Sequence, residues 1–461
     1  MTQVEGIVAT AGMVAALWGA ILLWRGGILA GCLAVLLSGC CLGYPLFHIP
    51  IQPIPITLDR VLWLILLGQC VLWRKFGWAA AKPVGGADAT LGFLVLVLGL
   101  SALGLGAETA DTKAIAKLVF FFIMPVGIYW AARQADLSDA ATTWLLACLT
   151  AFGIYLAVTA IGERYDLGWL VVPPYILSAE HAEFLGRARG PLLSPIGNGI
   201  LFGTCSAAGL LLFARAGRWT RLVLSLALAL MLVGAFLTLT RSVWMGVGLG
   251  LVLVGAIQLP PAWRKTVVAA SLLAAVVVVI TQWENLQSFK RDKAVSAEEM
   301  AESARLRPIL AAVAWKMFLD RPLWGCGFGR YGEAAKEYFS DRSMELPLER
   351  ARPYVQHNVL LALLTETGLA GAGLFCALLT LWARDAWRLW RSPRPSLGQR
   401  QLGPLLLAAE ANYLVNGMFH DVAIIPMVNM VLFFLAGAVE GLTNPGEEPA
   451  ADAAIAAAPR S

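Results

Sequence analysis

The stretch Arg221-Leu-Val-Leu-Ser-Leu-Ala-Leu-Ala-Leu-Met-Leu-Val-Gly-Ala-Phe-Leu-Thr-Leu-Thr-Arg-Ser-Val-Trp-Met-Gly-Val-Gly-Leu-Gly-Leu-Val-Leu-Val-Gly-Ala-Ile-Gln258 decides the fold. It holds two apolar runs, near 221–239 and 242–259, parted at Arg241. As helices rising roughly 1.5 Å per residue, each run is about long enough to cross ~30 Å of hydrocarbon. Comparable runs recur near 5–24, 27–46, 58–73, 89–106, 114–132, 141–161, 196–214, 266–282, 356–382, 402–419 and 422–441. That makes about thirteen, within a range of 12–14, because the first two and the last two are each joined by only a few residues. Composition agrees: 59% of the 461 residues are hydrophobic and 14% are charged, against about 25% charged in soluble domains. The expectation is an all-α polytopic integral membrane protein. Disorder, collagen-like repeats and a nucleic-acid-binding domain are excluded, and positive cytoplasmic loops account for the net charge of +5.

Basic residues set the orientation. Arg74, Lys75 and Lys82, then Arg215, Arg218 and Arg221, then Arg264 and Lys265, then Arg384 to Arg400 all fall on one side under the thirteen-span count. By the positive-inside rule that side is the cytoplasm. The reading divides the chain into N-terminal spans (1–161), an extracytoplasmic loop (162–195), central spans (196–282), a large extracytoplasmic loop (283–355), C-terminal spans (356–441) and a disordered cytoplasmic tail (442–461). The first span lacks a basic region before it and reads as a retained helix. The large loop holds 12 Lys/Arg and 11 Asp/Glu, so it reads as a small folded unit. Within it Leu306, Leu310, Val313 and Met317 recur at helical spacing, which predicts an amphipathic helix over Ala304–Asp320 with Pro308 in its first turn. The eight cysteines show no CxxC spacing and read as small buried hydrophobes.

The chemistry-bearing residues gather on the outward side. Gln356-His357-Asn358 is followed nine residues later by Gly368-Leu-Ala-Gly371. His357 closes the charged loop and opens a span, where the positive end of a helix disfavours imidazolium and leaves a proton acceptor. Gly368 and Gly371 give that helix a small packing face. Read alone, an interfacial histidine and a routine glycine face explain the same letters. Five arginines fall on the same side: Arg187 and Arg189 before a span, Arg241 between two spans, and Arg305 and Arg307 at the start of the loop helix. An unpaired arginine near the bilayer centre costs roughly 2.5 kcal/mol or more, and guanidinium matches phosphate oxygens bidentately. An anionic ligand presented from the lipid, such as a lipid-linked pyrophosphate, fits this set. Glu366 and His420, with Asp421 beside it, are supporting candidates. Gly325-Cys326-Gly327-Phe328-Gly329 follows a helix and reads as a turn after Pro322, not a dinucleotide loop. No Asp-x-Asp or HExxH pattern occurs, so the expectation is metal-independent chemistry with no cofactor.

With these motifs in place, residues 185–440 resemble the O-antigen ligase/O-antigen polymerase family of bacterial membrane glycosyltransferases. The His-Asn-x9-Gly-x-x-Gly stretch at 357–371 is similar to the ligase-type histidine motif. Gly186 to Pro191 with Pro195 to Asn198, Thr238 to Ser242, Ser303 to Arg305 and Asp320 to Gly327 resemble the elements around it. The resemblance implies a GT-C-like fold and an undecaprenyl-pyrophosphate-linked glycan as donor. It implies transfer at the periplasmic face of the inner membrane to lipid A-core, another glycan or another acceptor. It gives His357 the catalytic role and Arg187, Arg189, Arg241 and Arg305 the pyrophosphate, with Asn358, Gly368, Gly371, Arg307, Glu366 and His420 in support. It does not choose within 187/189 or 305/307. A ligase-like transferase is the leading reading. A polymerase of lipopolysaccharide or exopolysaccharide is the alternative within the family, and a lipid-linked glycan flippase or transporter is the alternative outside it.

Overall fold

The computed structural model describes residues 26–46, 48–49, 55–79, 82–104, 112–181, 183–281, 297–339 and 357–444. The expected run at 5–24, both ends of the large loop and most of the C-terminal tail lie outside the described residues.

Apolar runs become helices because a chain in lipid must satisfy every backbone group internally. They are α1 (Gly26–Cys41), α2 (Leu58–Lys75), α3 (Gly86–Leu103) and α4 (Thr112–Leu118, through the π turn Val119–Ile123, to Met124–Arg133). Next come α5 (Asp139–Arg164), α6 (Pro195–Phe213), α7 (Arg218–Leu237), α8 (Arg241–Gln258) and α9 (Pro261–Thr281). After α10 (Ala297–Asp320), the chain finishes with α11 (Val359–Arg391), α12 (Leu397–Gly417) and α13 (Pro426–Thr443). Among the described residues the one sheet-like pairing is an isolated bridge between Ile49 and Ile56. Among the described residues, eight helices (α3 to α8, α11 and α13) are long and apolar enough to cross a membrane. Twelve of the thirteen expected runs fall on helices.

Polar residues mark where helices begin. Ser138 accepts the Ala141 N–H at 3.2 Å to open α5. Ser194 accepts the Gly197 N–H at 3.1 Å, with Pro195 in the first helical position of α6. Ser396 and Gln399 cap each other at the start of α12. The loop helix differs from its expectation. It begins at Ala297, not Ala304, and Pro308 lies in its interior. The apolar stripe begins only at Leu306, so periodicity could not register the earlier turns, whose Ala, Glu and Met residues favour helix by propensity. The stripe itself is where it was expected: Leu306, Leu310, Val313 and Met317 are buried against Tyr331 and Phe339 in a small core of their own.

α6 and α13 lie in the middle of the bundle, while α3 and α7 turn most of their surface outward. Leu222, Val223, Leu226 and Phe236 of α7 are exposed, which is the surface that lipid would cover. α13 runs against α4 so closely that a Cβ on Gly437 would overlap the Tyr129 carbonyl. α12 meets α6 through a polar contact: Asn412 donates to the Ile200 carbonyl at 3.0 Å, and Asn416, one turn further along α12, donates to Asn412 at 2.9 Å. One end of the bundle is tied by ion pairs, Arg133–Asp88 at 3.1 Å and Arg215–Asp139 at 2.7 Å. The candidate residues gather at the other end.

Candidate functional site

The site begins at the bend between α7 and α8. α7 ends at Leu237, Leu239 takes a left-handed φ of 51°, and Arg241 is the first residue of α8. A β-branch-free but bulky residue holds such a φ only when its surroundings impose it. Here the loop before α6 does so. The Ala188 N–H donates to the Leu237 carbonyl at 3.0 Å. Arg187 donates through Nε to the Thr238 carbonyl at 3.1 Å and through Nη2 to Thr240 Oγ1 at 2.5 Å. That loop is in turn held by Glu163, whose carboxylate accepts the Arg189 and Gly190 N–H groups at 3.1 and 2.9 Å. Arg189 is 1% exposed and donates to the carbonyls of Ile176, His181 and Glu183. Both arginines of the first pair therefore brace the loop and the bend.

Arg241 is different. Its Nε is buried with no hydrogen-bond partner among the described residues, at the end of a helix whose first N–H groups concentrate positive charge. Arg307, on α10, lies within its electrostatic reach. Burial first, and then the Arg241 charge, lower Arg307 below the usual guanidinium range. Arg307 in turn acts on His357: partial burial and the Arg307 charge lower the imidazole below its ordinary value. Two residues apart on a helix, Arg305 and Arg307 do not face each other, and the Arg305 side chain lies outside the described residues. Arg241, Arg307 and His357 form one electrostatically coupled set. His420 completes it on the far side, its ring 6.4 Å from that of His357 and steeply inclined to it.

Asn358 fixes the histidine's position. Its Oδ1 accepts the N–H groups of Leu360 and Leu361 at 2.9 and 3.0 Å, capping α11, and its Nδ2 donates to the Met418 carbonyl at 3.1 Å. The cap thus ties the start of α11 to the end of α12, the strand of chain that carries His420.

Two and a half turns further on, α11 is broken. Gly368 has φ 63° and ψ −160°. The segment after α10 splices the break: Cys326 and Gly327 donate to the Thr365 and Glu366 carbonyls at 2.8 and 2.9 Å, and Leu369 and Ala370 donate to Pro322 and Leu323 at 2.8 and 3.2 Å. Two carbonyls before the break and two N–H groups after it are met in this way. Gly325 and Gly368 are glycines because of this. A Cβ on Gly325 would lie 2.5 Å from the Glu366 carbonyl carbon, and one on Gly368 would overlap Leu323. The expectation of a packing face at 368–371 is therefore corrected: Gly368 is a break in the helix, and a Cβ on Gly371 would meet Thr367 of its own helix. The Gly325–Gly329 stretch is the splice and not merely a turn. It also gives Glu366 a task, since the Glu366 carboxylate accepts the Gly329 N–H at 2.9 Å.

A cavity of about 520 Å³ runs along one face of α11, past Val359, Ala362, Leu363 and Glu366, and neither His357 nor His420 lines it. Lys117, Phe121, Tyr331, Glu366 and Asp421 line it, with Val359, two residues past His357, at its upper wall. Desolvation and the Glu366 charge push the Asp421 carboxyl up to about 7, partly offset by the Ala423 N–H and the Lys117 charge. Lys117 and Tyr331 escaped the reading of the sequence. Lys113 and Lys117 at the outward start of a span run against the positive-inside rule, and that was the available signal. Among the described residues no three His, Cys, Asp or Glu side chains converge as metal ligands would.

No curated protein matches the chain. A family model described as O-antigen ligase matches residues 226–376, from within α7 to within α11. That stretch contains Arg241, Arg305, Arg307, His357, Gly368 and Gly371, while Arg187 and Arg189, on which the resemblance was also read, lie outside it. Over residues 226–376 this helical chain is thus similar to the O-antigen ligase family.

Proposed function

We propose that the protein transfers a glycan from an undecaprenyl-pyrophosphate donor to an acceptor hydroxyl at the outward face of the membrane, without a metal and with inversion at the anomeric carbon. The observation that carries this reading is the coupled set of Arg241, Arg307 and His357. Arg241 brings an unpartnered buried Nε to a helix start. Arg307, whose charge burial and Arg241 both disfavour, and Arg241 itself would each gain from a dianionic pyrophosphate placed between them. As the acceptor oxygen attacks, the bond from the anomeric carbon to the pyrophosphate breaks, and the electron pair leaves with the phosphate oxygen. Arg241 and Arg307 would stabilise that developing charge. The acceptor proton passes to His357, which its surroundings keep neutral. Arg187 and Arg189 support the reaction by holding the bend. The cavity along α11, with its aromatic walls, its two lysines and its carboxylates, has the character of a sugar-binding chamber.

A ligase is the leading form and a polymerase of the same family the alternative. The test uses the purified full chain in nanodiscs with one undecaprenyl-pyrophosphate glycan. Transfer only after lipid A-core is added supports the ligase. A ladder of products from the donor alone, lost in His357→Ala, supports the polymerase. Donor binding without transfer to any acceptor would overturn the enzymatic reading in favour of a flippase.

A further inference from the structure

Gly325, Cys326 and Gly327 of the splice segment bound a second cavity, of about 510 Å³. Leu100, Ser101 and Gly104 of α3 form one wall, and Arg321, Trp324 and Arg330 form the other. Neither arginine has a part in the transfer reaction above.

Its depth follows from the helices. α3 starts beside Asp88, which pairs with Arg133 at the inner end of the bundle. Its 18 residues then rise roughly 27 Å, so Ser101 to Gly104 stand at the outward membrane boundary. α11 gives the same level independently. Gly368, where the splice docks, precedes the basic cluster at Arg384 by 16 residues, roughly 24 Å of helix. Apolar side chains around the cavity are exposed: Trp324, which lines it, is 67% and the preceding Leu323 60% exposed, and Leu100 of α3, on the facing wall, is exposed as well. A tryptophan and leucines at this level, next to two guanidiniums, match the interface between acyl chains and headgroups.

We infer that this cavity binds the phosphate of a lipid headgroup from the outward leaflet. Arg321 and Arg330 hold the phosphate, and Trp324 and Leu100 line the path of the acyl chain. The inference does not rest on the transfer reaction and would stand if that reading fell. An adjoining cavity of about 280 Å³ shares Arg321 and Arg330 but carries Glu333 and Glu337. Arginines that merely neutralise those carboxylates are the competing account.

The test is native mass spectrometry of the full chain in detergent, titrated with a short-chain phosphatidylglycerol, with the matching diacylglycerol, or with inorganic phosphate. Phosphatidylglycerol should bind wild type more tightly than the diacylglycerol does. Arg321→Gln should weaken it about fivefold, and Arg321→Gln with Arg330→Gln roughly 25-fold, at about one fivefold step per basic group near a lipid phosphate. Arg330→Lys should retain most of the affinity. Unchanged phosphatidylglycerol binding in Arg321→Gln would overturn the site and leave the arginines to Glu333 and Glu337. Inorganic phosphate binding as tightly as the lipid, and displacing it, would overturn the lipid assignment. Arg321 is exposed, so its single variant decides the matter even where the double variant fails to fold.

Discussion

Arg187 reaches across to Thr240, and that bond decides where Arg241 stands. Its Nη2 lies 2.5 Å from Thr240 Oγ1 while its Nε holds the Thr238 carbonyl, so one guanidinium grips both sides of the left-handed Leu239. Arg187 is 5% exposed, and removing it leaves those acceptors without their donor. Arg187→Ala should destabilise the protein by about 1.5–3 kcal/mol, and Thr240→Val by about 1 kcal/mol. Arg241→Ala should leave thermal unfolding in detergent nearly unchanged and lower transfer by roughly 10²–10³-fold. An Arg187→Ala protein of wild-type stability with a raised donor KM would show instead that Arg187 binds the donor itself.

His357 makes a prediction in pH. Partial burial and Arg307 place its folded-state value below that of the unfolded chain. Between the two values the unfolded state holds more protons, so stability rises with pH there and is lost as pH falls. For catalysis the neutral imidazole persists below the ordinary histidine range, about 6.5. The rate should therefore stay level down to about that pH and fall only at more acidic values. Arg307→Gln should move the acid limb toward higher pH, and His357→Ala should remove the limb and lower turnover by about 10²–10⁴-fold. An acid limb that stays in place in Arg307→Gln would break the coupling between the two residues.

The helices were legible because hydrocarbon thickness imposes a run length that composition cannot hide, although only eight of the described ones are long and apolar enough to span. Arg241 was legible for the same reason, since it interrupts such a run. The roles within the arginine pairs were not. Nothing in Gly186-Arg187-Ala188-Arg189-Gly190 announces that Arg189 turns inward to three carbonyls while Arg187 turns to a bend some 50 residues later. Such partners come from tertiary packing. Gly368 shows the same limit. A glycine inside an apolar run reads as a packing face, and only the arrival of Leu323 and Cys326 from another segment makes it a break.

That break yields a test by contrast. Gly368→Ala would need a left-handed φ and would overlap Leu323, so it should cost at least 1–2 kcal/mol and loosen the splice. Gly325→Ala should act alike, because its Cβ would crowd the Glu366 carbonyl. Gly373, on the same helix, has open space where a Cβ would go. Gly373→Ala should be neutral or stabilising by up to about 1 kcal/mol, following helix propensity. Equal tolerance of alanine at 368 and 373, by thermal unfolding, would refute the broken-helix account.

Asp421 gives the last prediction, and its sign is opposite to that of His357. Desolvation and Glu366 raise its carboxyl to about 7, against about 3.9 in an unfolded chain. Between those values the folded state binds more protons, so stability falls as pH rises through the window and levels off above it. Asp421→Asn removes the group that must ionise. The variant should match wild type near pH 4 and exceed it progressively toward pH 7, with a gap on the order of a few kcal/mol at pH 8. Denaturant unfolding of both proteins from pH 4 to pH 8 reads that gap directly. A constant difference across the range would mean that Asp421 does not titrate there, and that Lys117 holds it ionised throughout.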